Sequence, residues 1–343
     1  MASPFHTVLD TTLETTETTV GPRRDLRETL ERLASGEPLV LAERYRVEAR
    51  LAGGGMSEVF SGTELATGRR VAIKFLKDEL ADEPEAIACM VREARLLAQI
   101  HHPNVVEVVD VGTTSGGSTF VVTELLVGED LSGYIARRGP LTWEQAKPLI
   151  LQMCAALAAV HAHGIVHRDI KPANCVVVDD DGAPQIKLLD FGVAFASSTS
   201  KSSATAGTPA YMAPELGGEC QGTRRSDVYA LGLVLCEMLT GTLPFCSGTV
   251  AEIRLAHRCL PPPSLASLAP LRAIAPGLDR IYARTLAKRP SERYADTTAL
   301  AADLESVDSE TTDAAGSTHT IDWVAASSFV LALLTSLYWA YGG

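Results

Sequence analysis

Eight consecutive residues, His167-Arg168-Asp169-Ile170-Lys171-Pro172-Ala173-Asn174, bring a carboxylate, a cation and a side-chain amide within one turn's reach. Asp169 can orient an attacking hydroxyl and accept its proton. Lys171, two residues on, can offset charge developing on a transferred phosphoryl group. Asn174 offers a neutral oxygen to Mg²⁺, a hard ion that prefers oxygen ligands. A lone His-Arg-Asp tripeptide is more often a basic surface turn. Here, however, Asp190-Phe191-Gly192 follows, with a second oxygen ligand, a packing aromatic and a hinge glycine. Between the two motifs, short apolar runs flank Asp179-Asp180-Asp181-Gly182, and an Asp-Gly pair in that setting predicts a hairpin turn. A hairpin would bring Asn174 and Asp190 together as metal ligands. The chemistry these residues fit is phosphoryl transfer.

Other stretches must position them. Tyr45, Val47, Ala49 and Leu51 alternate as the first strand of a small sheet, leading into Gly53, Gly54 and Gly55. A glycine run between strands lets backbone N–H groups approach phosphate, although such runs also make ordinary hairpins. Val71-Ala72-Ile73-Lys74-Phe75 alternates too, which puts Ala72 and Lys74 on one face, a small residue beside a cation. Pro84 opens a helix to about Ile100, with Ile87, Met90, Val91, Ala94 and Leu97 as its apolar stripe and Glu93 beside it. Phe120 to Thr123 reads as a strand. Thr142-Trp143-Glu144-Gln145 matches a capping box for a helix reaching Gly164. Asp227 to Thr240 is apolar nearly all round and stops at Gly241, the pattern of a buried central helix. Asp227 itself reads most simply as an N-terminal capping acid. The Pro-rich Leu260–Pro276 reads as an exposed connector, and the last folded helices finish near Val307.

Charge is unevenly spread. Of a net −12, residues 1–20 carry three acids and residues 301–322 six, with no Lys or Arg in either. The interval between is nearly neutral and holds no polybasic patch, which excludes a nucleic-acid partner. Seven cysteines without a CxxC pair fit a reduced, cytoplasmic domain rather than a structural zinc site. Residues 7–19 contain seven threonines among acids and bury too little to fold. Trp323 to Gly343 has no charge over 21 residues, about 31 Å as a helix against a hydrocarbon core of roughly 30 Å. Aromatic residues stand at both of its ends.

Taken in order, these stretches resemble the eukaryotic-like protein kinase family, in its bacterial serine/threonine branch, from Tyr45 to Val307. The motifs are the glycine loop, Val71-Ala72-Ile73-Lys74, His167-Arg168-Asp169, Asp190-Phe191-Gly192 and Ala213-Pro214-Glu215. Lys171 and Gly207-Thr208-Pro209 are similar to the Ser/Thr-specific members. The resemblance implies an α+β, two-lobed fold with a small β-rich N-lobe and a larger helical C-lobe. It implies ATP and Mg²⁺ as cofactors and Ser/Thr hydroxyls of proteins as acceptors. Residue by residue, it makes Asp169 the base, with Lys171, Lys74 and Glu93 as further catalytic groups, Glu93 pairing with Lys74. Leu51, Val59 and Ala72 go to the adenine pocket, and Gly53, Gly54, Gly55 and Lys74 to the phosphates. Thr123 gates the back pocket, and Glu124 to Leu126 form the hinge. Asn174 and Asp190 are the metal ligands, Glu215 pairs with Arg293, and Asp227 braces the catalytic loop. Two departures stand out: Ala52 and Ser57 occupy the first and third glycine positions of the family's loop. No catalytic group is missing, but a silent nucleotide-binding scaffold shares this pattern. A small-molecule phosphotransferase does as well, although the Gly207–Glu215 segment argues for a protein substrate.

The resulting organisation is a disordered tail over 1–21, a short helical extension over 22–42 and a kinase domain over 43–307. Within that domain the N-lobe takes 43–123, the hinge 124–128 and the C-lobe 129–307. An acidic linker follows over 308–322, then a transmembrane helix over 323–341. The expected location is the cell membrane, held by a single-pass C-terminal anchor with the catalytic domain in the cytoplasm. Expected partners are Ser/Thr-containing proteins, phosphothreonine-recognition modules and a second copy for autophosphorylation.

Overall fold

Alternation of apolar and polar side chains builds a six-stranded antiparallel sheet. A computed structural model describes residues 39–53, 57–76, 84–114, 118–180, 183–190, 209–217, 222–275 and 277–307. Its strands are β1 (Leu39–Leu41), β2 (Tyr45–Gly53), β3 (Ser57–Glu64), β4 (Arg70–Leu76), β5 (Val108–Thr113) and β6 (Thr119–Glu124), in the order β1-β2-β3-β4-β6-β5. As expected, Val71, Ile73 and Phe75 of β4 are buried on one face, while Ala72 and Lys74 look the other way. The buried face is an aromatic layer in which Phe60 meets Phe75 edge-on at 5.8 Å and Tyr45 meets Phe120 at 6.4 Å.

Two strands of this sheet were not anticipated. β1 falls inside the stretch read as a helical extension. Leu39 and Leu41 are buried against β2, where Leu39 faces Val47 and Leu41 faces Tyr45. Arg44 pins the following turn to Glu64 and Asp110. β5 escaped notice because a bulge between Val108 and Asp110 breaks its alternation. Helix α1 (Pro84–Leu97) packs on β5 and β6 and is one turn shorter than expected.

The larger lobe is helical, with α2 (Leu131–Arg138), α3 (Trp143–Ala162), α4 (Arg224–Thr240), α5 (Val250–Cys259), α6 (Leu265–Leu268), α7 (Leu278–Thr285) and α8 (Thr297–Glu305). A three-stranded sheet, β7 (Glu129–Asp130), β8 (Cys175–Asp180) and β9 (Ala183–Leu188), buries Cys175, Val177, Ile186 and Leu188 in the same core as these helices. The Thr142 capping box forms in full. Helix α4 is buried along nearly its whole length and ends on Gly241 at φ +73°, the left-handed stop that glycine tolerates. The Pro-rich stretch 260–276 differs from the exposed connector read there: it holds α6, with Leu265 and Ala275 buried in the core. At the far end, the Val307 carbonyl accepts from Lys147 Nζ at 2.8 Å and Trp143 Nε1 at 3.4 Å. Among the described residues no helix is long and apolar enough to cross a membrane. Residues 1–21, the helix expected at 22–35, the linker 308–322 and the segment 323–341 lie outside them.

Helices α4 and α7 touch at Gly232, where a Cβ would sit 2.0 Å from the Thr285 hydroxyl oxygen and 2.8 Å from its Cβ. Thr285 is fully buried and its hydroxyl is committed to the Tyr282 carbonyl at 2.7 Å. Gly232→Ala is therefore expected to lower unfolding free energy by about 1–3 kcal/mol through overpacking. Urea unfolding measures it, and Thr285→Ala in the same chain should recover part of the loss. A wild-type midpoint for Gly232→Ala would refute the contact.

Candidate active site

Helix α4 supplies the anchor of the site from its first turn. Thr223, not Asp227, holds the capping position, accepting from the Arg225 N–H. Asp227 is buried instead and reaches across to the segment after α3. Its Oδ2 accepts from His161 Nε2 at 2.7 Å and from the His167 N–H at 2.9 Å, and its Oδ1 accepts from the Arg168 N–H at 2.8 Å. Three donors to one buried carboxylate satisfy a charge that would otherwise be costly there. This is the brace the resemblance implied.

The brace holds an uncommon backbone. Arg168 has φ +67° and Asp190 φ +53°, left-handed conformations that cost on the order of 1–3 kcal/mol at a non-glycine residue and collect at functional sites. His167 links the two segments. Its Nε2–H donates to the Leu189 carbonyl at 2.9 Å, and Nδ1 accepts the Asp169 N–H at 3.4 Å. Burial lowers the imidazole's pKa below its ordinary value, which keeps the neutral tautomer that this pair of bonds requires.

Asp169, Lys171 and Asn174 come together as read. Lys171 Nζ donates to Asp169 Oδ2 at 2.7 Å and Asn174 Nδ2 donates to the same oxygen at 2.9 Å. Both bonds fall on Oδ2, so among the described residues Oδ1 is left for another donor. A further bond from Asn174 Nδ2 to the Asp169 carbonyl at 2.8 Å fixes the amide and turns its oxygen away from Asp169. The expected hairpin is β8–β9, paired from Cys175↔Leu188 to Asp180↔Ala183. The Leu189 N–H extends that ladder to the Asn174 carbonyl at 2.9 Å, so Asn174 and Asp190 flank the same open end.

Above the hairpin lies a cavity of about 300 Å³. Leu51, Ala52 and Val59 form its roof, Ala72 and Lys74 its upper wall, and Thr123, Glu124, Leu125 and Leu126 its rim. Ala173, Val176 and Leu189 make the floor, and Met90, Ala94 and Leu97 of α1 the back. Sequence reasoning missed the floor and back wall, although the α1 stripe of Met90, Ala94 and Leu97 carried the signal for the latter. Gly53 sits at the edge, tight against the Arg50–Glu58 ion pair. Gly54 and Gly55 lie outside the described residues, as do Phe191 and Gly192.

One pairing differs from the expectation. Lys74 Nζ bonds Asp190 Oδ1 at 2.5 Å, where the resemblance paired it with Glu93. Glu93 is buried in the wall of the same cavity, on α1. The reason is positional: the left-handed turn at Asp190 swings its carboxylate under β4 and within reach of the ammonium. Burial alone would raise the Asp190 pKa, but Lys74, with Lys171 behind it, outweighs burial and holds the carboxyl below its usual range. Farther along, Glu215 and Arg293 form the implied pair through two bonds, at 2.8 and 2.9 Å.

The comparisons with known proteins agree with this geometry. Residues 45–304 match the model of the protein kinase domain family. The chain is similar to serine/threonine-protein kinase pkn3 of Myxococcus xanthus, 35% identical over 278 residues that make up 79% of this chain and 51% of that protein. It is also similar to serine/threonine-protein kinase PknL of Mycobacterium tuberculosis, 34% identical over 80% of this chain and 68% of the relative. Among solved structures, the Mycobacterium tuberculosis PknI kinase domain superposes with a TM-score of 0.62 at 27% identity, covering 78% of this chain and 97% of that one. The chain thus spans about half the length of pkn3.

The Glu215–Arg293 pair sets a pH dependence. Burial pushes the Glu215 carboxyl up, the two bonds from Arg293 pull it down further, and the net position is below the ordinary value of 4.5. A carboxyl depressed in the folded state stabilises at pH above its unfolded value and loses that contribution as pH falls through the folded value. Stability is therefore expected to fall below about pH 4.5. Glu215→Gln should show a shallower acid dependence and a loss of about 3–5 kcal/mol near neutrality, the effect of breaking a buried pair. Unfolding curves collected across that range test both, and an unchanged acid slope in the variant would sink the assignment.

Proposed function

The chain belongs to the protein kinase family, and from this we propose that it transfers the γ-phosphate of ATP to Ser and Thr hydroxyls of proteins, with Mg²⁺ as the metal. The observation that carries the reading is the Asp169–Lys171–Asn174 cluster at the mouth of a cavity whose inner wall holds Lys74 and Asp190. The cavity suits a nucleotide. Its roof and floor are apolar enough for a flat base, Ala72 leaves room beside the hinge, and Lys74 is placed for phosphate oxygens. The donor set suits Mg²⁺. The Asn174 oxygen is turned outward by its own amide bonds, and Asp190 supplies a carboxylate beside it. Two protein oxygens are the usual share for Mg²⁺, which keeps water and phosphate oxygens as its remaining ligands. When bound, the ion supplies neutralisation of phosphate charge.

The chain's own groups do the rest. Asp169 Oδ1 accepts the proton of the incoming hydroxyl, while Lys171 and Asn174 hold Oδ2 and fix the carboxylate's direction. Lys171 also stands where charge grows during transfer. Lys74 exchanges Asp190 for phosphate oxygens and Glu93, which frees Asp190 for the metal. Leu51, Val59 and Ala72 enclose the base, Glu124 and Leu126 address its edge through main-chain groups, and the glycine run that begins at Gly53 is assigned to the phosphates. Nothing in this set is missing, which favours an active enzyme over a silent scaffold.

The Thr-rich segment 7–19 is our candidate for an autophosphorylated stretch that a phosphothreonine-recognition module reads, with a second copy of the chain as the phosphorylating partner. We also assign the uncharged run 323–341 to the membrane, with residues 1–322 on the cytoplasmic side where ATP and reduced thiols are found.

Asp169→Asn is expected to cut turnover by about 10²-fold or more with little change in nucleotide affinity, whereas Asp190→Asn should mainly raise the Mg²⁺ requirement. Labelled-ATP transfer to a generic basic protein measures both, and undiminished transfer by Asp169→Asn would remove the mechanism. For the anchor, the full chain should pellet with membranes and resist carbonate extraction, while a truncation ending at Thr320 should be soluble and active. Full-length protein in the soluble fraction without detergent would overturn the anchor.

A further inference from the structure

Glu124 ends β6 at the rim of the cavity, and its side chain is held from both lobes. Its Oε1 accepts from Lys187 Nζ at 2.6 Å and from the Glu107 N–H at 2.9 Å, while its own N–H donates to the Glu107 carbonyl at 3.0 Å. Its carbonyl meanwhile accepts the Thr123 hydroxyl at 3.2 Å. The Lys187 and Glu124 side chains are only 17% and 20% exposed, unlike the outer pair Arg69–Glu107 at 41% and 53%. Exposed pairs of the second kind contribute little, whereas a half-desolvated pair fixes geometry.

Lys187 is the sole charged residue of β9, between buried Ile186 and Leu188. That strand belongs to the larger lobe and runs on to Leu189 and Asp190, and its Leu188 carbonyl accepts the Val106 N–H at 3.1 Å. The Lys187–Glu124 bond therefore crosses between lobes beside their covalent connection. It also balances charge: the Glu107 carboxyl lies below its usual range mainly through Arg69, with Lys187 adding to the effect. Without Lys187, the two neighbouring carboxylates would share one cation at the outer edge.

We propose that Lys187 is a positioning residue for nucleotide binding: by gripping the Glu124 carboxylate it fixes the main chain of the hinge that faces the base. This rests on the reading of the cavity as the nucleotide site. It predicts an effect on affinity rather than on transfer, since Lys187 points away from Asp169 toward the rim.

The experiment is direct titration with a fluorescent ADP analogue, alongside ATP-dependence of transfer, for the full chain and its variants. The wild type should bind. Lys187→Met should bind about tenfold more weakly, equivalent to about 1.4 kcal/mol, and raise KM for ATP with kcat within about twofold. Lys187→Arg, which keeps the ion pair, should stay near wild type. Glu124→Gln should weaken binding as well, which keeps the idea testable should Lys187→Met fail to fold. The double variant should be no weaker than Lys187→Met, because both substitutions remove one bond. Wild-type affinity in Lys187→Met, a fall in kcat without change in KM, or additive losses in the double variant would each overturn the inference while the cavity's assignment stood. A wild type that binds no nucleotide would instead overturn the assignment of the cavity, and the inference with it.

Discussion

One buried carboxylate sets the geometry on which the site depends. Asp227 has no water to solvate it, so it must find its donors in protein, and it finds them in His161 and in two successive N–H groups at His167 and Arg168. Those bonds hold Arg168 in a conformation its side chain would otherwise disfavour. The direction of the chain at Asp169 then follows. A base that must meet a hydroxyl within hydrogen-bond distance cannot sit on a loop that wanders by an ångström. The helix that carries Asp227 is among the most buried elements of the larger lobe, so the precision of the loop at Asp169 is borrowed from the core.

The smaller lobe contributes differently. Its sheet presents Lys74 and Ala72 because a strand offers alternate residues to opposite faces, and the aromatic layer behind them leaves no alternative register. Lys74 shares the cavity with carboxylates from two elements, Glu93 on α1 and Asp190 after β9. In this structure the ammonium is on Asp190. A lysine that bridges to Asp190 offsets the charge of that carboxylate inside the cavity, and entry of a polyanion would shift that balance. The hinge, the hairpin and the lysine thus act as one electrostatic unit.

Much of this was legible in the residues because the chemistry is local. Asp169, Lys171 and Asn174 lie within six positions, and their contacts follow from one turn of chain. The capping box at Thr142 and the stop at Gly241 are equally short-range. What stayed hidden depends on distant partners. Lys187 and Glu124 are 63 positions apart, and nothing near Lys187 announces that its ammonium is taken. Leu39-Val40-Leu41 is too short to declare itself a strand until Val47 and Tyr45 face it. Leu265 and Ala275 looked exposed because prolines surround them, yet each fills a gap that only the assembled helices create. The bond from Lys74 to Asp190 stayed hidden for the same reason, since the two residues are 116 positions apart.

The edge strand β1 bears on where this folding unit begins. The match to the kinase family starts at residue 45 and stops at 304, yet Leu39 and Leu41 cover the flank of β2, and Val307 is clasped by Lys147 and Trp143 beyond the other limit. A boundary drawn by likeness alone would therefore strip a row of backbone donors and acceptors bare along β2. An unpaired strand edge of that kind invites pairing with another molecule. With only three residues, β1 leaves the sheet a short border, one of the ways in which proteins limit edge-to-edge pairing, and it carries no catalytic motif by which to find it.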